Sequence, residues 1–127
     1  YSVPMYRLVA RRLAPQGKIV VQSTSPYFAP NAYWSVVATL EAAGLHTAPY
    51  HVYVPSFGEW GFVLAGRENR FPVPAAFSVP TRYLNGKTAA EMFDFPPDMA
   101  RRPVEANYLN NQMLVNYFER DWAEVIR

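Results

Sequence analysis

Two groups of side chains have types and spacing that could do chemistry. The first is Gln22-Ser23-Thr24-Ser25, an amide followed by three hydroxyls. An amide oxygen accepts a hydrogen bond from an ammonium, and the hydroxyls could line the same rim. The second is Phe57, Glu59 and Trp60. With Tyr53, these rings could form an apolar wall along the methylene chain of an amine, with cation–π attraction at its ends. A dication needs carboxylates to offset its desolvation, and Glu59 alone is too few. Each residue also has a plainer role. Gln22 could be a strand-end amide satisfied by backbone, and Ser and Thr before Pro26 are ordinary turn formers. Glu59 could be a solvated hairpin acid, and the aromatics core.

Other chemistries find no support. His46 and His51 are five apart across a strand start, which does not bring both rings to one face for a metal. His51 reads as a packed, hydrogen-bonded strand residue before it reads as a general base. The absence of cysteine removes thiolate zinc sites, thiol nucleophiles and disulfides together. There is no Ser-His-Asp constellation and no phosphate-cradling glycine loop. Twelve Lys and Arg against ten Asp and Glu, without a dense basic run, argue against a nucleic-acid footprint. Arg101-Arg102 reads as decoration on a solvated turn. No apolar run approaches the roughly 18 residues that would cross a bilayer. Tyr1 is followed by no basic n-region or apolar h-region, so the sequence reads as trimmed or as a piece of something longer.

These side chains must be held by short elements. The 127 residues are 50% hydrophobic, 16% aromatic and 17% charged, and twelve prolines break up long regular runs. Ser2 caps a helix over 3–13 with Pro4 in its first turn and Met5, Val9 and Leu13 on one face. The β-branched run 18–23 predicts a buried parallel strand covered on both faces, with Gln22 at the carboxyl end where open α/β sheets bind ligands. Pro30 opens a helix whose Tyr33, Val37 and Leu40 share a face, and Gly44 supplies its left-handed stop. Tyr50, Val52 and Val54 alternate, and the run 60–65 follows a loop with Pro55 and Gly58, which predicts an antiparallel hairpin. Residues 67–82 form an irregular connector. Thr88 and Glu91 have capping-box spacing before a short helix. A final helix carries Met113, Leu114, Tyr117, Phe118, Trp122 and Val125. The expected class is α/β with only part of a sheet: a unit at 1–66, then a proline-rich connector and helical extension at 67–127.

Val20-Val21-Gln22-Ser23-Thr24-Ser25-Pro26, the helix through Trp34, and Val54-Pro55-Ser56-Phe57-Gly58-Glu59-Trp60-Gly61-Phe62 share order and spacing with one family. The chain resembles the carboxyl-terminal half of the spermidine synthases, polyamine aminopropyltransferases on a Rossmann-like methyltransferase scaffold. The tail around Glu91-Met92-Phe93-Asp94-Phe95-Pro96-Pro97 and Leu109-Asn110-Asn111-Gln112 is similar to the branch whose synthase domain follows a membrane-embedded amino-terminal region. The resemblance implies that the glycine-rich nucleoside motif, the ribose-binding acid and the catalytic aspartates lie upstream of Tyr1. No catalytic residue and no cofactor would then belong to this chain, and decarboxylated S-adenosylmethionine would be the co-substrate of the intact protein. The acceptor would be an amine such as putrescine. Gln22 falls on the family's amine-contacting glutamine. Phe57 falls near its substrate-loop tyrosine, but the hydroxyl is gone and the loop is two residues shorter. The resulting substrate-binding set is Gln22, Ser23, Phe57, Glu59 and Trp60, without metal. The family's setting implies a cytoplasmic domain in a membrane-anchored parent, and a segment inactive in isolation whose partner is the upstream half. A strand at 18–23 without its upstream neighbour has an open apolar edge, which predicts a homodimer pairing the two copies antiparallel. The competing class is a non-catalytic binding or assembly module on the same scaffold.

Overall fold

The computed structural model describes residues 1–126. In chain order these form α1 (Val3–Arg12), β1 (Lys18–Gln22), α2 (Pro30–Ala42), β2 (His46–Val54), β3 (Gly58–Gly66), α3 (Gly86–Glu91), one 3-10 turn at Pro97–Met99, and α4 (Met113–Ile126). It is a mixed α/β fold with a small sheet, compatible with part of a Rossmann-like domain. No helix among the described residues is long and apolar enough to cross a membrane.

The sheet order is β1-β3-β2, and β3 is antiparallel to both neighbours. β1 therefore runs in the same direction as β2, yet its hydrogen bonds go to β3. The expectation that 18–23 is covered on both faces is corrected. Ile19 and Val21 are half-buried, whereas Lys18, Val20 and Gln22 are exposed. The reason is layering: Tyr6 of α1 and Tyr33, Val37 and Leu40 of α2 form one core with Val63 and Ala65 of β3, so both helices lie on the same face. The opposite pleat of β1 receives no helix.

α1 begins as its sequence dictates, with Ser2 Oγ accepting from Met5 N at 3.4 Å and Pro4 in the first turn. Its buried stripe is Val3 and Tyr6, with Ala10 and Leu13 against the core; Met5 points to solvent. Both stripes have helical spacing, and the one with the larger ring, Tyr6, takes the core. α2 is buried on nearly every side. Its polar residues are satisfied by the returning segment beyond α3: Trp34 Nε1 donates to Met99 O at 3.2 Å, Ser35 Oγ to Glu105 O at 2.7 Å, and Thr39 Oγ1 accepts from Asn107 N at 2.9 Å. Gly44 ends the helix at φ +91, the left-handed conformation expected of it.

The hairpin runs longer than its apolar core suggests, from His46 paired with Gly66 to Val54 paired with Gly58. Tyr33 ties it to α2. Its single hydroxyl hydrogen is shared between Phe62 O at 2.9 Å and Tyr50 O at 3.2 Å, and burial pushes its phenol well above the ordinary range. The ring lies over Gly61, where a Cβ would collide with it. Residues 92–95 follow the outer edge of β2: His51 N donates to Met92 O at 2.9 Å. Phe93 packs beside Tyr50, and Phe95 beside Tyr33, Trp34 and His51 on the other face. That edge is thereby blunted.

Two smaller expectations also change. The capping box of α3 starts at Asn85, whose Oδ1 accepts from Thr88 N at 2.9 Å while Thr88 Oγ1 accepts from Asn85 N at 2.8 Å. Thr88 is thus the third helical residue instead of the cap. Arg101 does not decorate a solvated turn. Its guanidinium grips Glu41 with bonds of 3.0 and 2.5 Å and lies over the Trp34 ring at 5.8 Å. The hydrogen bonds from Arg101 hold the Glu41 carboxyl below its ordinary value of 4.5. A lowered carboxylate contributes stability that is present above that value and lost as pH falls through the lowered one. Both side chains are 40% or more exposed, so solvent screening limits the contribution to under about 1 kcal/mol. Glu41→Gln should therefore lower stability slightly at pH 7, and the gap from the unsubstituted chain should close below pH 4.5 in urea titrations at several pH values.

Candidate functional site

The site begins where β1 leaves the sheet. Gln22 is the last paired residue, opposite Phe62, and the chain stays tied to β3 through Ser23 N to Gly61 O at 2.9 Å and Gly61 N to Thr24 O at 2.6 Å. Thr24 then turns at φ 60, in the left-handed region. Ser25 Oγ accepts from Tyr27 N and Phe28 N at 3.2 and 3.1 Å, so it is spent on the turn, as its position before Pro26 suggested. Ser23 is buried, and its hydroxyl donates to Val21 O at 2.9 Å. The side chain of Gln22 is exposed, while its carbonyl accepts from the Tyr1 hydroxyl at 3.1 Å.

A cavity of about 430 Å³ opens at this strand end. Gln22, Ser23 and Thr24 line it together with Ala32 and Val36 of α2. The remaining wall comes from α4, through Leu114, Val115, Phe118 and Glu119, and Tyr1 completes it. Most of the lining is apolar, and Glu119 is its one carboxylate.

The position of α4 is set by a buried acid. α2 starts at Pro30 after Ala29, which has no side-chain oxygen to cap the helix. Asp121 of α4 supplies the missing acceptors: Oδ2 takes Ala32 N at 2.9 Å, and Oδ1 takes Asn31 Nδ2 at 2.7 Å. A carboxylate at a helix amino terminus also opposes the macrodipole favourably. Asp121 is only 5% exposed, so these bonds replace its hydration. They pin the helix beside Ala32, one of the residues of the cavity wall.

The hairpin residues behave differently. Phe57 stands at the tip, 65% exposed, with its ring 5.7 Å from that of Trp60. Trp60 is half-buried, and its Nε1 is sequestered without a partner among the described residues. Glu59 is not a solvated hairpin acid. Its Oε2 lies 2.9 Å from His51 Nδ1, and His51 Nε2 lies 2.6 Å from the Asp94 carbonyl. A carbonyl can only accept, so Nε2 carries a hydrogen and the ring is fixed from both sides. The pleat also separates the residues. Trp60 and Gln22 leave the sheet on the side of Phe62, whereas Glu59 shares the α2 side with Val63.

Of the five candidates from sequence, the structure brings Gln22 and Ser23 into one cavity, pairs Phe57 with Trp60 on the hairpin, and commits Glu59 to His51. Sequence reasoning missed Tyr1, the α4 residues and Asp121. One signal was available for Asp121: an acid on the same helical face as Leu114 and Tyr117, beside a helix start with no cap of its own. Among the described residues, no group of three His, Asp or Glu side chains could hold a metal ion.

No protein-family model matches the chain. Polyamine aminopropyltransferase 2 of Ralstonia nicotianae is 58% identical over 129 residues, covering 100% of this chain and 25% of that protein. The chain is similar throughout to polyamine aminopropyltransferases. The polyamine aminopropyltransferase of Leptospira interrogans is 41% identical over 126 residues, covering 99% of this chain and 25% of that protein. For the polyamine aminopropyltransferase of Mycobacterium tuberculosis the identity is 39% over 124 residues, with 96% and 24% covered. The chain thus spans about a quarter of the length of the curated relatives it matches.

Proposed function

We propose that this chain is a segment of a polyamine aminopropyltransferase and forms the amine-side wall of its cleft. In the intact protein an aminopropyl group passes from decarboxylated S-adenosylmethionine to an amine such as putrescine. The similarity along the whole chain supports this reading. The observation that carries it is the cavity at the carboxyl end of β1, where Gln22 stands beside apolar groups of α2 and α4.

The chemistry is a displacement at carbon. The lone pair of a deprotonated primary amine attacks the carbon beside the sulfonium, a C–N bond forms, and the C–S bond breaks with its electron pair returning to sulfur. The leaving group is a neutral thioether and needs no acid. What the reaction requires of the protein is alignment of nitrogen, carbon and sulfur, and removal of one proton from the amine. This chain supplies alignment. Gln22 accepts an N–H of the incoming amine, and the apolar residues of α2 and α4 exclude water around its methylenes. The base and the nucleoside site belong to the rest of the intact protein, so the isolated segment is inactive.

In the intact protein, Gln22→Ala should raise KM for the amine about ten- to a hundredfold, the effect of losing one hydrogen bond to a charged group. KM for the sulfonium nucleoside should stay unchanged in the same steady-state assays. Equal changes for both substrates would remove Gln22 from the amine side. An intact protein that transfers no aminopropyl group to any amine would sink the reading as a whole.

A further inference from the structure

We propose that Arg7 and Arg11 of α1, together with Arg67 just beyond β3, form a binding site for a phosphate group.

A cavity of about 420 Å³ lies between α1 and the end of α2, beside the residue that follows β3. Its lining is Arg7, Ala10, Arg11, Ala43, Gly44 and Arg67, three guanidiniums and no carboxylate. Arg67 is anchored in place: Nη1 donates to Leu13 O at 3.0 Å, which leaves the rest of its donor fork for other acceptors. Arg7 and Arg11 make no ion pair among the described residues. The acids closest to them in sequence do not neutralise the cavity. Residues 1–40 contain no Asp or Glu, Glu41 is taken by Arg101, and Glu68 is not part of the lining.

Such a cluster needs a reason to persist. Arg7 and Arg11 are four residues apart on one helical face, a spacing at which two like charges repel. The plain structural use for cations here is the end of α2, where the helix carbonyls carry partial negative charge. That end is already closed by the backbone. Leu45 N donates to Leu40 O at 3.2 Å and Gly44 N to Glu41 O at 3.0 Å, the paired bonds of a helix terminated by a left-handed glycine. Capping therefore does not consume the guanidiniums, and an anion between them removes their repulsion. One planar fork satisfies a carboxylate, whereas the oxygens of a phosphate can serve several forks at once. The group can come from a soluble phosphate compound or from a lipid headgroup, since the other flank of α1 carries a shallow apolar hollow formed by Leu8, Val9, Leu13 and Arg12.

The test titrates the intact protein by calorimetry, at constant ionic strength, with inorganic pyrophosphate and separately with dihexanoyl phosphatidic acid, a soluble lipid whose headgroup is a phosphate monoester. Dihexanoyl phosphatidylcholine is the control without a free phosphate group. Saturable binding is expected in at least one of the first two arms. An Arg7→Gln, Arg11→Gln double variant should weaken it about tenfold or more, and Arg12→Gln, outside the cavity, should leave pyrophosphate binding unchanged. Tighter binding of pyrophosphate assigns a soluble ligand, and tighter binding of phosphatidic acid a lipid headgroup. These arginines are exposed, so the variants are compatible with folding. Thermal unfolding separates ligand binding from a structural role. Without phosphate the double variant should unfold at or above the wild-type temperature because repulsion is relieved, and the bound phosphate compound should raise the midpoint of the wild type alone. No saturable binding of either phosphate compound, or equal binding by wild type and double variant, would overturn the proposal. A lower unfolding temperature of the double variant without phosphate would also overturn it, by showing that the arginines serve the end of α2.

Discussion

Replacing Asp121 by alanine should destabilise the chain by about 3 kcal/mol, more than any surface substitution on α4. Two contributions add. The amino terminus of α2 loses a cap, which is worth about 1 kcal/mol. The Ala32 N–H and the Asn31 amide also lose their acceptor, and a buried donor left unpaired costs about 1–3 kcal/mol more. Ala29 cannot take over because its side chain has no polar atom. Asp121→Asn keeps one acceptor oxygen and should lose about half as much. Urea denaturation of the three proteins checks this through their midpoints at constant slope. An alanine variant within about 0.5 kcal/mol of wild type, the range of an ordinary surface change, would show that α4 docks by its apolar face alone.

The second large effect is expected at Gly61. A Cβ built there falls on the Tyr33 ring and lies 2.8 Å from the Thr24 carbonyl. Neither neighbour can yield. Tyr33 is fully buried with its hydroxyl bonded to two strands, and the Thr24 carbonyl accepts from Gly61 itself. Gly61→Val must therefore displace the ring or part the strand from β1, at a cost of about 3 kcal/mol by overpacking. Thermal unfolding should show a fall of several degrees or more for a domain of this size. Shortening the ring in a Gly61→Val, Tyr33→Ala double variant should recover part of the loss relative to the sum of the single effects, because the two positions share one space. Strict additivity would sink the assignment of the clash to Tyr33.

Local signals gave the elements and failed where cover comes from afar. Ser2 with Pro4, the left-handed Gly44, and the alternation of Tyr50, Val52 and Val54 are each a property of a few neighbouring residues, and each reappears in the structure. The continuous run Ile19-Val20-Val21 was legible as a strand. Its cover was not, because that depends on both flanking helices choosing one face. Gln22 at the strand end was legible by the same local logic, whereas the α4 wall opposite it comes from more than 90 residues away. The pairing of His51 with Glu59 could have been read once the hairpin register was fixed, since His51 opposite Gly61 makes Glu59 its diagonal neighbour. Glu41 and Arg101 are joined by tertiary folding alone, and no local pattern announces them.

The cap that Asp121 places on α2 also orders events in time. It reaches across 89 residues, so a chain synthesised from its amino terminus exposes Ala29 and Pro30 long before the acid that completes their helix. At a synthesis rate of about 5–20 residues per second, the delay is roughly 4–18 s. During that interval the first turn of α2 has unpaired N–H groups beside an unwalled strand end. The cavity at the end of β1 is consequently among the last parts of the segment to form, and any nascent chain halted before residue 121 presents Gln22 without the α4 wall.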